Sequence, residues 1–318
     1  MRVLFWGTPA FALPSFRALV GEGHEVVGVV TQPDRPSGRG QRLRASPVKG
    51  AALEEGVPVL TPDKPRGPAF LDALGVLAPE ISVVVAYGHI LAPEVLDSPT
   101  RGSVNLHASL LPELRGAAPI AWALIRGYRT TGVTLIRMTP GMDEGPILLQ
   151  REVPIEDDDT AGSLASRLAE VGAEALIEAL AMIELGGIET VEQDSARATY
   201  APKLERESAR VDWGREARDI ANHIRGSDPA PGAWTTFRSE PVKLYSPRIA
   251  SEGRGGLADA AFAGAGAPGT VLSAGATLTV RAGRGALDIG LVQPAGRRRM
   301  EAGEWVRGSG PQAGDTFE

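Results

Sequence analysis

The sequence predicts an α/β protein whose first part builds a mostly parallel sheet and whose last part folds into a small β-barrel. Three observations carry this. Short β-branched runs alternate with helical periodicity up to residue 126; two further runs at 131–155 are joined only by TPGMDE; and the chain beyond residue 231 breaks into short strand-like pieces punctuated by Gly and Pro.

Taken in order, RVLFW (2–6), HEVVGVVT (24–31), ISVVVAY (81–87) and GSVNLH (102–107) read as strands, with helical patterns near 10–22, 46–56, 67–78 and 117–126. Strands separated by helices imply parallel pairing and a sheet covered on both faces. TGVTLIRM (131–138) and GPILLQREVPI (145–155) have too short a connection for a crossover, so an antiparallel ribbon extends that sheet. After Asp159-Thr160-Ala161-Gly162-Ser163, the segment LASRLAEVGAEALIEALAMIELG keeps apolar periodicity until Gly186-Gly187 and predicts one amphipathic helix packed on the sheet. Residues 1–187 then form a first domain, 188–208 a polar linker and 209–318 a second domain. That domain opens with a helix at 215–226, followed by AWTTFR, PVKLYSPRI, GTVLSAG, TLTVRAG and ALDIGLVQ, a barrel pattern without helical crossovers. ASEGRGGLADAAFAGAGAPG (250–269) reads as a flexible loop.

Composition excludes several classes. No apolar run approaches the roughly 20 residues that span a bilayer, and MRVLFWGTP lacks a signal-peptide pattern, so a cytoplasmic protein without membrane contact is expected. There is no cysteine, and the four histidines His24, His89, His107 and His223 are scattered, so no metal is expected. The first strand and turn resemble the start of a dinucleotide-binding fold, but Gly7-Thr8-Pro9 lacks the second glycine of G-x-G-x-x-G, and neither nicotinamide nor flavin is expected. A net charge of −6 argues against coating by nucleic acid. Locally the balance reverses. TQPDRPSGRGQRLRASPVKG (31–50) carries Arg35, Arg39, Arg42, Arg44 and Lys49 against Asp34, and reads as a projecting loop that is either solvated surface or a grip on backbone phosphates.

The chemistry concentrates in Gly102–Leu149. Asn105 and His107 differ by two and share one face of a strand, at the end where open α/β sheets place their crevice. Asp143 lies between Gly141 and Gly145 in a loop able to bend back over that end. An amide, an imidazole and a carboxylate that converge suit attack on a carbonyl, since they hold a developing oxyanion and move one proton.

NLHASLLPELRGAAPI together with GMDEGPIL resembles the signature of the 10-formyltetrahydrofolate-dependent formyltransferases, and the likeness runs from Met1 to near Gly187. The resemblance implies a Rossmann-like formyltransferase domain, catalytic roles for Asn105, His107 and Asp143, and 10-formyltetrahydrofolate as cosubstrate. It places Ser109, Leu110, Leu111 and Pro112, and Val85, Tyr87, Gly88, Ile90 and Leu91, along the folate site. The basic loop, the second domain and the matches ATYAPKL, RVDW and LVQPAGRRRM are similar to the branch acting on initiator methionyl-tRNA. That branch carries an OB-like C-terminal β-barrel, and the branch of purine synthesis lacks both loop and barrel. The implied tRNA contacts are Arg35, Arg39, Arg42 and Arg44 in the loop and Lys203, Arg206, Lys243, Arg297, Arg298 and Arg299 beyond it, with Arg39 matching a tRNA-contacting arginine of the family. The Gly/Ala-rich stretch near 252–267 departs from the family pattern. A monomer is expected. Two other classes stay open on the residues alone: a sugar-amine N-formyltransferase, and a non-catalytic RNA-binding protein with a relic domain.

Overall fold

The computed structural model describes residues 1–37, 42–250, 266–308 and 310–318. Two compact units share the chain: Met1–Pro119, Thr130–Pro154 and Ala165–Pro202 form the first, and Ile120–Arg129, Ile155–Leu164 and Lys203–Glu318 the second.

The first unit is built on seven strands: β1 (Arg2–Gly7), β2 (Glu25–Val30), β5 (Val59–Leu60), β6 (Ile81–Val85), β7 (Ser103–His107), β8 (Thr130–Arg137) and β9 (Ile147–Pro154). Their order is β5-β2-β1-β6-β7-β8-β9. Pairing is parallel from β5 through β7 and antiparallel from β7 through β9. Val3 to Trp6 of β1 and every residue of β6 are buried, as expected for parallel strands covered on both faces. Helices α1 (Leu13–Gly21), α2 (Pro47–Glu54), α3 (Pro68–Leu77) and the short α4 (Pro93–Leu96) alternate with these strands. Helix α5 (Pro119–Ile125) also separates two strands, yet β8 runs antiparallel to β7. The long helix α6 (Ala161–Glu184) packs on the sheet closely enough that a Cβ at Gly172 would meet Leu106 Cδ2 at 2.7 Å.

Where sequence predicts a projecting loop, the chain forms a two-stranded antiparallel ribbon, β3 (Arg35–Ser37) with β4 (Arg42–Arg44). Arg39 lies outside the described residues, as do residues 251–265 of the segment 250–269. Among the described residues, no helix is long and apolar enough to cross a membrane.

The second unit holds α7 (Ala217–Ser227) and strands β10 (Trp234–Phe237), β11 (Glu240–Ile249), β12 (Val271–Ala274), β13 (Leu278–Arg281) and β14 (Ala286–Pro294), in the antiparallel order β10-β11-β14-β13-β12. Sequence periodicity missed β15 (Met300–Glu301), which pairs with β14, and the helix α8 (Ala302–Gly308) after it. It also missed how the curled sheet is closed. Gly314 and Asp315 exchange backbone hydrogen bonds with Val271 of β12 at 2.8 Å, while Glu318 does so with Thr236 of β10 at 3.0 and 3.1 Å. Residues 314–318 therefore join the two edge strands. The core beneath includes Trp213, Ile224, Leu244, Val280, Ile289, Trp305 and Phe317.

His223, on α7, is buried in this unit, and its Nε2 has no partner among the described residues. Burial holds its pKa below 6.5, nearby Arg215 lowers it further, and a hydrogen bond to the Ala209 backbone opposes both. The unfolded chain takes up this proton near pH 6.5 while the folded chain resists it, so stability is lost as pH falls below that value. Denaturant midpoints between pH 7.5 and 5.5 are expected to fall less in His223→Gln than in the parent; an equal fall would rule this out.

Candidate active site

The two central side chains leave β7 on one face, as alternation requires. Asn105 is registered between Val84 of β6 and Ile136 of β8, and His107 ends the strand opposite Thr134. The loop between β8 and β9 turns Asp143 toward them. Asp143 Oδ1 lies 3.5 Å from Asn105 Nδ2, and Oδ2 lies 3.6 Å from His107 Nδ1. These are long approaches, whereas the Gly116 N–H donates to Oδ2 at 2.9 Å. Gly116 sits at φ 115°, and a Cβ there would meet the Ala201 carbonyl at 2.9 Å, so glycine is needed for this donor to reach the carboxylate.

A backbone carbonyl sets the tautomer of the imidazole. His107 Nε2 is 2.9 Å from the Leu114 oxygen, which only accepts, so Nε2 carries the hydrogen. Nδ1 therefore faces the carboxylate as a lone pair in the neutral ring and as an N–H in the imidazolium, which would be satisfied at both nitrogens. The ring is 6% exposed, while the Asp143 side chain, at 18%, keeps a path to solvent. Together the groups offer an amide N–H, one imidazole proton and a carboxylate around one space.

The residues expected along the folate divide into two sets. Val85, Tyr87, Leu91, Ser109, Leu111 and Pro112 are buried, whereas Gly88 and Ile90 are exposed and Leu110 is half-buried. Tyr87 stacks edge-on against Trp6, and burial pushes its hydroxyl up to about 12, with no partner for that oxygen among the described residues. Ser109 Oγ closes its own turn by donating to the Glu113 carbonyl at 2.6 Å, and Thr134 Oγ1 donates to the Ser109 carbonyl at 2.6 Å. Residues 88–91 make no backbone–backbone hydrogen bond among the described residues.

The basic residues are distributed unevenly. Arg35 and Arg44 are exposed and directly opposite on the β3–β4 ribbon, while Lys49 is neutralised by Asp34 at 2.8 Å. Arg42 shares the ribbon, opposite Ser37. In the second unit Arg206 and Lys243 line one cavity of about 350 Å³ with Trp234. Arg210, which sequence reasoning overlooked, lies over the same indole as Arg206, at 5.5 and 5.6 Å. Lys203 pairs with Glu205 at 3.3 Å, and Arg297 and Arg298 are exposed. Arg299 is exposed too but is held in place: its guanidinium lies 3.4 Å from the Tyr245 ring centre and donates to Asp228 at 2.8 Å. No group of three or more His, Asp or Glu side chains able to hold a metal occurs among the described residues.

Comparison with known proteins agrees along the whole chain. The formyl transferase family model matches residues 1–180, and the formyl transferase C-terminal domain model matches 203–310. A methionyl-tRNA formyltransferase of Moorella thermoacetica is 45% identical over 309 residues, covering 97% of this chain and 96% of its own length. One from Pelobacter propionicus is 44% identical, covering 96% and 92%. Among solved structures, HypX of Aquifex aeolicus in complex with tetrahydrofolic acid superposes with a TM-score of 0.67 at 21% identity, over 97% of this chain and 48% of that one. An N-formyltransferase of Helicobacter canadensis in complex with folinic acid and dTDP-3-aminofucose gives 0.67 at 17%, over 92% and 99%. These two likenesses show a shared fold; the sequence relatives and the family models show more, and by them this chain belongs to the formyl transferase family, among the methionyl-tRNA formyltransferases.

Proposed function

We propose that the chain transfers the formyl group of 10-formyltetrahydrofolate to the α-amino group of initiator methionyl-tRNA in the cytoplasm, giving N-formylmethionyl-tRNA and tetrahydrofolate. The observation that carries this reading is the convergence of Asn105, His107 and Asp143 at the end of β7.

Little base strength is required of these residues. An α-amine has a pKa near ~8, so a useful fraction is neutral before any group acts on it. The larger demand is charge: as the amine nitrogen bonds to the formyl carbon, the carbonyl π pair moves onto oxygen. Asn105 Nδ2–H and His107 Nδ1–H are the donors for that oxygen, and Asp143 balances the imidazolium. The amine proton leaves through a water to Asp143, whose carboxylate reaches solvent. His107 returns a proton to the folate nitrogen as its bond to the formyl carbon breaks. Val85, Tyr87, Leu91, Leu111 and Pro112 form an apolar bed for the ring system, and the peptide groups of 88–91, without backbone partners among the described residues, would match its amide-like donors and acceptors.

For the tRNA, the reading rests on charge that the fold leaves uncompensated. Like charges directly opposite on an antiparallel ribbon are destabilising, so Arg35 against Arg44 is tolerated for another reason, and a phosphate backbone is one. Arg206, Lys243, Arg297 and Arg298 would add contacts, as would Lys203 beside its partner Glu205, and Arg39 and Arg42 belong to the same basic run of sequence. Arg35→Ala with Arg44→Ala is expected to flatten the slope of log KM for tRNA against log salt by about one for each phosphate that the variant leaves unneutralised. An unaltered slope would remove the ribbon from the tRNA interface.

The deciding assay supplies 10-formyltetrahydrofolate with initiator methionyl-tRNA or with a nucleotide-linked amino sugar. Formylation of the tRNA alone is expected, and transfer only to the sugar would replace this reading.

A further inference from the structure

We propose that residues 191–201, which read as linker in the sequence, are a positioning strap for the active site, with Gln193 and Thr199 as positioning residues braced by Arg115. The inference rests on the formyl-transfer reading above.

The strap is pinned to the catalytic unit along its length. Val191 exchanges backbone hydrogen bonds with Ile147 at 2.8 and 2.9 Å. The Arg115 N–H donates to the Thr199 carbonyl at 2.9 Å, and the Ala201 N–H donates to the Arg115 carbonyl at 2.7 Å. Between these anchors, two side chains reach the two groups that hold His107. Gln193 Nε2 donates to the backbone carbonyls of Asp143 and Gly145, at 2.9 and 2.7 Å. Thr199 Oγ1 accepts the Leu114 N–H at 2.9 Å, and the Leu114 carbonyl is the acceptor for His107 Nε2. One short segment thus governs the contact on each side of the imidazole.

Both held residues need holding. Asp143 at φ 54° and Leu114 at φ 60° occupy the left-handed region, which non-glycine residues disfavour unless their surroundings impose it. Arg115 makes the imposition one-directional. Arg115 is 3% exposed, and its guanidinium donates to Gln193 Oε1 through Nε at 3.1 Å and Nη2 at 2.7 Å. A flipped amide would set NH₂ against guanidinium and oxygen against two carbonyls, so the network admits one orientation. None of these three side chains reaches the reacting atoms; they act through Asp143 and Leu114.

The test compares Gln193→Glu, Thr199→Val and Thr199→Ser with the parent. Gln193→Glu keeps the acceptor for Arg115 but presents only oxygen to the carbonyls of Asp143 and Gly145. Displacing catalytic groups by about 1 Å costs on the order of 100-fold in rate, so kcat is expected to fall about that far in Gln193→Glu and Thr199→Val. KM for both substrates should stay near the parent value, and Thr199→Ser, which retains the hydroxyl, should recover kcat. The His107 ring resonances, followed by NMR, are expected to move in the first two variants and not in Thr199→Ser. A folded Gln193→Glu or Thr199→Val protein of lowered Tm but parental kcat would make the segment merely structural and overturn the strap, as would unmoved His107 resonances. The NMR arm stands even if the parent formylates no tRNA, an outcome that refutes the function and not the strap. The Thr199 pair carries the test should Gln193→Glu not fold.

Discussion

Asp143→Asn is expected to lower kcat by on the order of 10³- to 10⁴-fold while tRNA affinity stays close to that of the parent. The substitution keeps the shape and removes what the site uses. Oδ1 faces the amide of Asn105, and Oδ2 accepts the Gly116 N–H beside His107 Nδ1. An amide has one acceptor and one donor end, so either orientation sets a donor against a donor, at Asn105 or at Gly116. In the proposed mechanism the imidazolium also loses its counter-charge when the oxyanion needs it. Basic residues on the ribbon and in the second unit are untouched, so binding should persist. Single-turnover formylation alongside filter binding of methionyl-tRNA separates the two effects. A parallel collapse of binding would mean that Asp143 serves the tRNA and not the chemistry.

Phe317→Ala is expected to destabilise the second unit by roughly 3–5 kcal/mol, the range for removing a fully buried aromatic ring. Phe317 is 2% exposed. It stacks on Trp213 at a centroid distance of 5.8 Å and meets Phe237 at 5.7 Å and Trp305 at 6.4 Å. It also sits in the segment that joins β12 to β10, its own N–H donating to the Gly269 carbonyl at 2.9 Å. Loss of the ring therefore opens a cavity and loosens the closure of the curled sheet. Chemical denaturation followed by tryptophan fluorescence reads this directly, since Trp213 and Trp305 surround the site. A shift below about 1 kcal/mol would show that the core closes over the gap.

Some of this molecule is legible in local pattern. The buried strands β1 and β6 announce themselves because parallel strands covered on both faces need continuous β-branched or apolar residues, and RVLFW and ISVVV supply them. Asn105 and His107 are readable as a pair because period-2 alternation puts them on one face whatever the surrounding fold. The β3–β4 ribbon is not readable: each strand is only three residues long, RPS carries a proline, and the single alternation in RLR is too short to mark a strand. The closing segment GDTFE is similarly silent, as a single phenylalanine is its only apolar residue.

The sequence by itself determined the α/β class, the antiparallel extension at 131–155, the pairing of Asn105 with His107 on one face and the basic character of 31–50, because each is written in residues close together along the chain. Tertiary structure alone decided which groups hold that trio. Gln193 lies 50 residues from Asp143 and Thr199 lies 85 from Leu114, and a hydrogen bond across such separations leaves no periodicity to read. The same holds for Arg299, one of three equivalent arginines in sequence, of which the fold turns this one onto Tyr245 and Asp228. A side chain's chemistry is local; its partner is settled only when distant segments meet.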